Sequence, residues 1–167
     1  MCIEFRNTKH SSARWRRKPQ RVFYFPALFV RGEGSVNIDF DKAGGLVPAI
    51  IQDHRSGEVL MLGFMNSVSF AETQRSGEVV FFSRSRNRLW KKGESSGHVL
   101  KVREVRVDCD ADALLVRVEA VGPGVCHEGY RSCFFRELEA DGNAKITEER
   151  SFAPEIVYGP EKQEKKV

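Results

Sequence analysis

Residues 105–116 read Val-Arg-Val-Asp-Cys-Asp-Ala-Asp-Ala-Leu-Leu-Val, and the pattern on either side of this acidic junction decides the fold. Before it, Val99 to Cys109 alternates, with Val105, Val107 and Cys109 on one face and Glu104, Arg106 and Asp108 on the other. After it, Leu114, Val116, Val118 and Ala120 share one face. A period of two is that of a half-buried strand, so two strands meet at Asp-Cys-Asp-Ala-Asp. Period-two geometry, if the segment stays extended, also puts Asp108, Asp110 and Asp112 on one side and Cys109 on the other.

Working outward, LVPAIIQD (46–53) and EVLMLGFM (58–65) flank the turn candidate His54-Arg55-Ser56-Gly57 and predict a hairpin. Asn66 suits a helix N-cap, Val68 to Arg75 contains no Gly or Pro, and Gly77 suits the position past the helix end. EVVFFS (78–83) is β-branched and aromatic and predicts a strand that delivers Ser83-Arg84-Ser85-Arg86. Gly122-Pro123-Gly124 ends the Leu114–Ala120 strand and turns the chain toward Cys126. The fold class expected is α+β: a single β-rich domain of mostly antiparallel strands with one or two helices. A length of 167 residues suits one compact domain. The expected division is a basic extension over 1–35, the domain over 36–140 and a polar C-terminal tail over 141–167, ending in EKQEKKV.

The opening 35 residues hold eight Lys or Arg (Arg6, Lys9, Arg14, Arg16, Arg17, Lys18, Arg21, Arg31) against Glu4 and Glu33, a net +6, while the whole chain is +4. The positive excess therefore sits in the extension, and the rest is about −2. The extension reads as a solvated tail; a targeting segment, a nucleic-acid contact or a start placed too far upstream remain open. No run of 18 apolar residues exists, so no membrane partner is expected. Without a secretion signal the four cysteines are expected reduced and free to bind metal, which suits a cytoplasmic location. Cys2 lies in the extension and takes no role.

Three carboxylates within five residues repel one another unless a cation sits among them. Carboxylate oxygens suit a hard ion such as Mg²⁺ and a thiolate suits Zn²⁺, so Asp108, Asp110 and Asp112 are candidate magnesium ligands beside Cys109. A solvated polar turn is the other reading of the same trio. An EF-hand is excluded, because neither the required Gly nor the bidentate Glu follows.

Cys126 and Cys133 are spaced unlike the C-x₂-C knuckles of structural zinc sites or of nucleobase deaminases. With Cys109 they make three thiolates, enough to bind Zn²⁺ and leave a fourth position for water. The segment 83–98 packs five Arg or Lys (Arg84, Arg86, Arg88, Lys91, Lys92) among Ser and Gly. It reads either as a phosphate-binding loop or as an exposed basic loop.

Five stretches resemble the phosphoribosyl-AMP cyclohydrolase family: GLVPAIIQD (45–53), VLMLGFMN (59–66), FFSRSRNRLWKKGESSGH (81–98), VRVDCDADALLV (105–116) and CHEGYRSCFFR (126–136). The resemblance implies a hydrolase of histidine biosynthesis that opens the purine ring of phosphoribosyl-AMP between N1 and C6. It implies an intertwined homodimer, with Zn²⁺ held by Cys109 of one subunit and Cys126 and Cys133 of the other, and Mg²⁺ held by Asp108, Asp110 and Asp112. On that reading His127, next to Cys126, is the general base and His98 its rival, and Arg84, Arg86 and Lys92 hold the phosphates. The chain departs from the family pattern at Ala111 (often Gly), Lys91 (often His), Ser95 (often Thr) and Tyr130 (more usually basic). Two other classes compete. One is a non-catalytic module in which zinc staples a dimer and the basic extension binds nucleic acid, although a nucleic-acid partner is not expected. The other is a zinc deaminase, which would release ammonia.

Overall fold

Strand β1 (Val47–Asp53) buries Val47, Ala49, Ile51 and Asp53 and leaves the residues between them half-covered, the period-two pattern of a strand with one face on the core. The computed structural model describes residues 37–159. β1 pairs antiparallel with β2 (Val59–Met65). Helix α1 (Ser67–Ser76) follows, then β3 (Val80–Ser83), β4 (Arg88–Lys91), β5 (Leu100–Val107) and β6 (Leu114–Ala120). A short hairpin of β7 (Arg136–Leu138) and β8 (Ala144–Ile146) and helix α2 (Pro154–Tyr158) complete the described chain.

The main sheet runs β2-β1-β6-β5. Its central pair, β1 with β6, is parallel, while its outer pairs and the β3-β4 and β7-β8 hairpins are antiparallel. Val47, Ala49, Ile51, Leu60, Met65, Val79, Phe81, Leu100, Leu114, Val116 and Val118 form one core beneath it. In β5 the apolar residues run Leu100, Val102, Val105, Val107, with a break in phase after Val102. A bulge between Val102 and Glu104 absorbs the extra residue and keeps both halves of the strand facing the same way.

α1 starts on a capping box: Asn66 Oδ1 accepts the Ser69 N–H at 2.8 Å and Ser69 Oγ accepts the Asn66 N–H at 2.9 Å. Gly77, at φ +69°, ends it. The face it buries is polar, so hydrogen bonds fix it. Thr73 Oγ1 accepts the Val80 N–H at 2.9 Å and donates to the Ser69 carbonyl at 2.9 Å, tying the helix to β3 at the point where β3 enters the core.

The hairpin over 46–65, the helix with its two caps, and the strands through 80–83, 100–107 and 114–120 stand where the sequence pattern predicts them. β4 is a difference: the basic segment 83–98 is not one loop, because Val80–Ser83 and Arg88–Lys91 pair as a hairpin with Phe81 opposite Trp90. The boundary expected at residue 140 falls between β7 and β8, and α2 lies beyond it. The basic extension and the EKQEKKV end lie outside the described residues. Among the described residues no helix is long and apolar enough to cross a membrane.

Gly63 in β2 makes room for Phe81, since a Cβ at this position would stand 2.3 Å from the Phe81 ring. Gly63→Ala is expected to cost about 1–3 kcal/mol through overpacking, read as a lowered denaturant midpoint with an unchanged slope.

Candidate metal centre

The β5-β6 connection curls rather than running extended. Asp108 Oδ1 accepts the N–H of Asp112 at 3.0 Å and of Ala113 at 3.1 Å, an Asp-centred turn. The three carboxylates do converge, with one oxygen from each of Asp108, Asp110 and Asp112 lying within 4.8 Å of the others. The expected grouping therefore arises from a turn, not from strand alternation.

A cation from the chain itself lies against this group. The Lys42 ammonium bridges Asp110 and Asp112, 2.7 Å from Asp112 Oδ2. The hydrogen bonds it donates to Asp110 and then Asp112 push the Lys42 ammonium above its ordinary range, and the Lys42 contact holds the Asp110 carboxyl below its own. The donor set is all oxygen, its charge attracts cations, and it fits a hard ion such as Mg²⁺. Cys109 is exposed on the same turn.

The second thiol group is built on the opposite edge strand. The Cys133 N–H donates to the Leu60 carbonyl at 2.8 Å and Ser132 Oγ donates to the Val59 carbonyl at 2.8 Å, so the loop 126–133 hangs on β2. Arg131 Nε donates to Glu58 Oε2 at 2.7 Å, and its guanidinium lies 3.4 Å from Asp53 Oδ2 at the end of β1. Inside the loop the Cys126 N–H donates to the Tyr130 carbonyl and the Gly129 N–H to the Cys126 carbonyl, both at 3.1 Å. Tyr130 stacks on Phe135 at 3.6 Å.

These constraints bring the Cys126 and Cys133 thiols within hydrogen-bonding reach. The Cys133 S–H, helped by the N–H groups of Glu128 and Tyr130 and opposed by burial, pulls the Cys126 thiol down to about 6. A paired thiol ready to ionise near neutral pH is a soft-metal donor set and fits Zn²⁺.

The two groups do not meet within one chain. Cys133 is bonded to β2 and Cys109 stands at the tip of the β5-β6 hairpin, with β1 between. Two strand spacings amount to about 10 Å, whereas two sulfurs on one zinc are at most about 4.6 Å apart. Among the described residues, Asp108, Asp110 and Asp112 are the one set of three metal-ligating side chains that gathers.

His127 is exposed beside Cys126, its Nε2 3.9 Å from Glu128 Oε1. His98 is packed edge-on against Phe152 with ring centroids 4.8 Å apart, and its buried Nδ1 has no hydrogen-bond partner. Arg84 and Arg86 are exposed in the β3-β4 turn, with the Arg84 guanidinium 3.8 Å above the Phe64 ring. Lys92 does not join them. It is 5% exposed, and its ammonium donates to the Val125 carbonyl at 2.5 Å, which places it behind the cysteine loop. Sequence reasoning passed over Lys42 and Arg131. Arg131 lies inside the cysteine loop, where its charge was a usable signal, but nothing near Lys42 in the chain marks its partners 68 and 70 residues away.

Residues 61–135, which contain the acidic turn and the cysteine loop, match the family model described as phosphoribosyl-AMP cyclohydrolase. The phosphoribosyl-AMP cyclohydrolase of Solibacter usitatus is 58% identical over 124 residues, covering 74% of this chain and 98% of the relative. The chain belongs to the phosphoribosyl-AMP cyclohydrolase family. Relatives of the same description come from Desulforapulum autotrophicum (53% identical over 123 residues; 74% of this chain, 98% of the relative) and Methanosarcina barkeri (52% over 124; 72% and 92%). Within this cyclohydrolase chain Ala111 adopts φ +62°, a left-handed conformation that a Cβ disfavours. This accounts for the departure from glycine as a local cost.

Two outcomes follow for stability. Ala111→Gly is expected to stabilise the chain by about 1 kcal/mol, read by chemical denaturation. For Asp53, burial pushes the carboxyl up, but the Ser56 and Arg55 N–H groups, the Ser56 hydroxyl and Arg131 outweigh it and hold it below its ordinary 3.8. A carboxyl depressed in the folded state contributes stability above its unfolded value, and that contribution fades as pH falls through the folded value. Asp53→Asn is therefore expected to be less stable than the parent at pH 7, with the gap narrowing below pH 3.8, as read from melting temperatures across the acid range.

Proposed function

We propose that this chain hydrolyses the N1–C6 bond of 1-(5-phosphoribosyl)-AMP to give the formimino-imidazolecarboxamide ribotide, the third step of L-histidine biosynthesis. Relatives matched over nearly their whole length support the reaction. The observation that carries the site is the division of three thiols between two edges of one sheet. It supports a homodimer in which Cys109 of one subunit completes a zinc site with Cys126 and Cys133 of the other, and Asp108, Asp110 and Asp112 take Mg²⁺ when Lys42 gives way.

The second phosphoribosyl group on N1 makes the ring cationic and C6 electrophilic. Hydrolysis adds the oxygen of water to C6, breaks the N1–C6 bond and returns a proton to N1. Zinc in such a site supplies acidification of a water toward neutral pKa. His127 accepts the proton of the attacking water at its ring, with the Glu128 carboxylate 3.9 Å from its Nε2. Arg84 and Arg86 hold phosphate oxygens through guanidinium forks, Arg84 braced by its stack on Phe64. The compartment expected for this chemistry is the cytoplasm.

Turnover of phosphoribosyl-AMP, followed by ultraviolet absorbance, is expected to require zinc and to fall by more than about 100-fold in Cys109→Ser, Cys126→Ser and Cys133→Ser. Mixing Cys109→Ser with Cys126→Ser is expected to restore about a quarter of parental activity, because half the dimers then carry one intact site of two. Mixtures as inactive as their parents, with subunit exchange verified, rule out the shared site.

A further inference from the structure

A buried ammonium needs a reason. Lys92 lies at the end of β4, its N–H donating to the Val79 carbonyl at 3.0 Å, and its side chain runs beneath the cysteine loop with 5% of the residue exposed. An ammonium has three donors, and this one makes a single hydrogen bond, to the carbonyl of Val125, the residue before Cys126. Trp90 covers it, the ammonium lying 5.7 Å from the ring centroid. A cation withdrawn from water in this way is strongly disfavoured unless negative charge lies near it.

Among the described residues, the charges acting on Lys92 are those of Cys133 and Cys126, and no carboxylate contributes. Burial lowers the ammonium's proton affinity and the two sulfurs raise it. Its hydrogen bond to the carbonyl next to Cys126 sets it beside the thiol pair, and among the described residues the thiols are the neighbours able to become anionic.

We propose that Lys92 is a positioning residue of the cysteine loop, a fixed buried cation behind Cys126 and Cys133 that balances their thiolates when they hold a soft divalent metal. This rests on the zinc reading above. Three thiolates around Zn²⁺ leave a net charge of −1, and the Lys92 ammonium brings the assembly to neutrality. Its hydrogen bond to Val125 also sets the backbone from which Cys126 projects. The role differs from holding a substrate phosphate, which needs an exposed ammonium, whereas Lys92 is 5% exposed and donates to the Val125 carbonyl.

The decisive measurement is the zinc affinity of the full-length protein by competition with a chromogenic chelator, alongside steady-state kinetics on phosphoribosyl-AMP. Lys92→Gln, which keeps a donor for the Val125 carbonyl but removes the charge, is expected to bind zinc about 10–100-fold more weakly. Lys92→Arg, which keeps the charge, is expected to recover most of that loss. At saturating zinc the KM of Lys92→Gln is expected to stay within about twofold of the parent. Lys92→Met, similar in volume and uncharged, carries the same expectation should Lys92→Gln fail to fold. Unchanged zinc affinity in the neutral variants, or equal loss in the Gln and Arg variants, overturns the inference while leaving the zinc site standing. A raised KM with unchanged zinc affinity assigns Lys92 to the phosphates instead. A parent protein that binds no zinc overturns the zinc site and this inference together.

Discussion

The parallel pairing of β1 with β6 is the constraint on which the rest of the molecule depends. Ala49 through Asp53 lie beside Leu114 through Val118, so the two strands that alternate buried and half-buried residues share the middle of the sheet and bury the same face. A parallel pair cannot be closed by a tight turn, and the 60 residues between Asp53 and Leu114 supply the crossover as β2, α1, the β3-β4 hairpin and β5. That connection sends β2 to one edge and β5 to the other. Each edge then carries one chemical group: the cysteine loop on β2 and the acidic turn at the end of β5.

Both groups concentrate negative charge, and the fold meets each with one lysine brought from far along the chain. Lys42 reaches the acid trio from the segment before β1, where its ammonium and Asp110 are water-exposed and Asp112 is half-buried. Lys92 reaches the thiols from the end of β4, where it is buried and cannot leave without unpacking Trp90 and the loop above it. The same pairing of charges therefore gives a solvated contact at one site and a buried one at the other. The difference lies in solvent access.

Much of the fold was legible because local pattern and tertiary demand agree. β1 and β6 alternate cleanly, Asn66 and Gly77 punctuate α1, and the hairpin turn at 54–57 falls between two apolar runs. β4 was not legible, since Arg88-Leu89-Trp90-Lys91 sits in a stretch whose charge reads as a loop and becomes a strand only because Val80–Ser83 offers it an edge. The acid trio was found by composition, and of its two readings, extended segment or polar turn, the turn holds: an Asp that caps its own turn bends the backbone that alternation assumes to be straight.

The sequence by itself determined most of the elements, their types and the residues whose donor atoms suit a metal, because those follow from periodicity, capping and donor softness, all read within a few residues. Only the tertiary structure decided which of those residues meet. It joined Cys126 to Cys133, parted both from Cys109, turned Lys92 away from Arg84 and Arg86 and brought Lys42 to the acids. Proximity across a sheet depends on strand order, and strand order is set by how apolar faces are buried together over the whole chain, a property no local stretch contains.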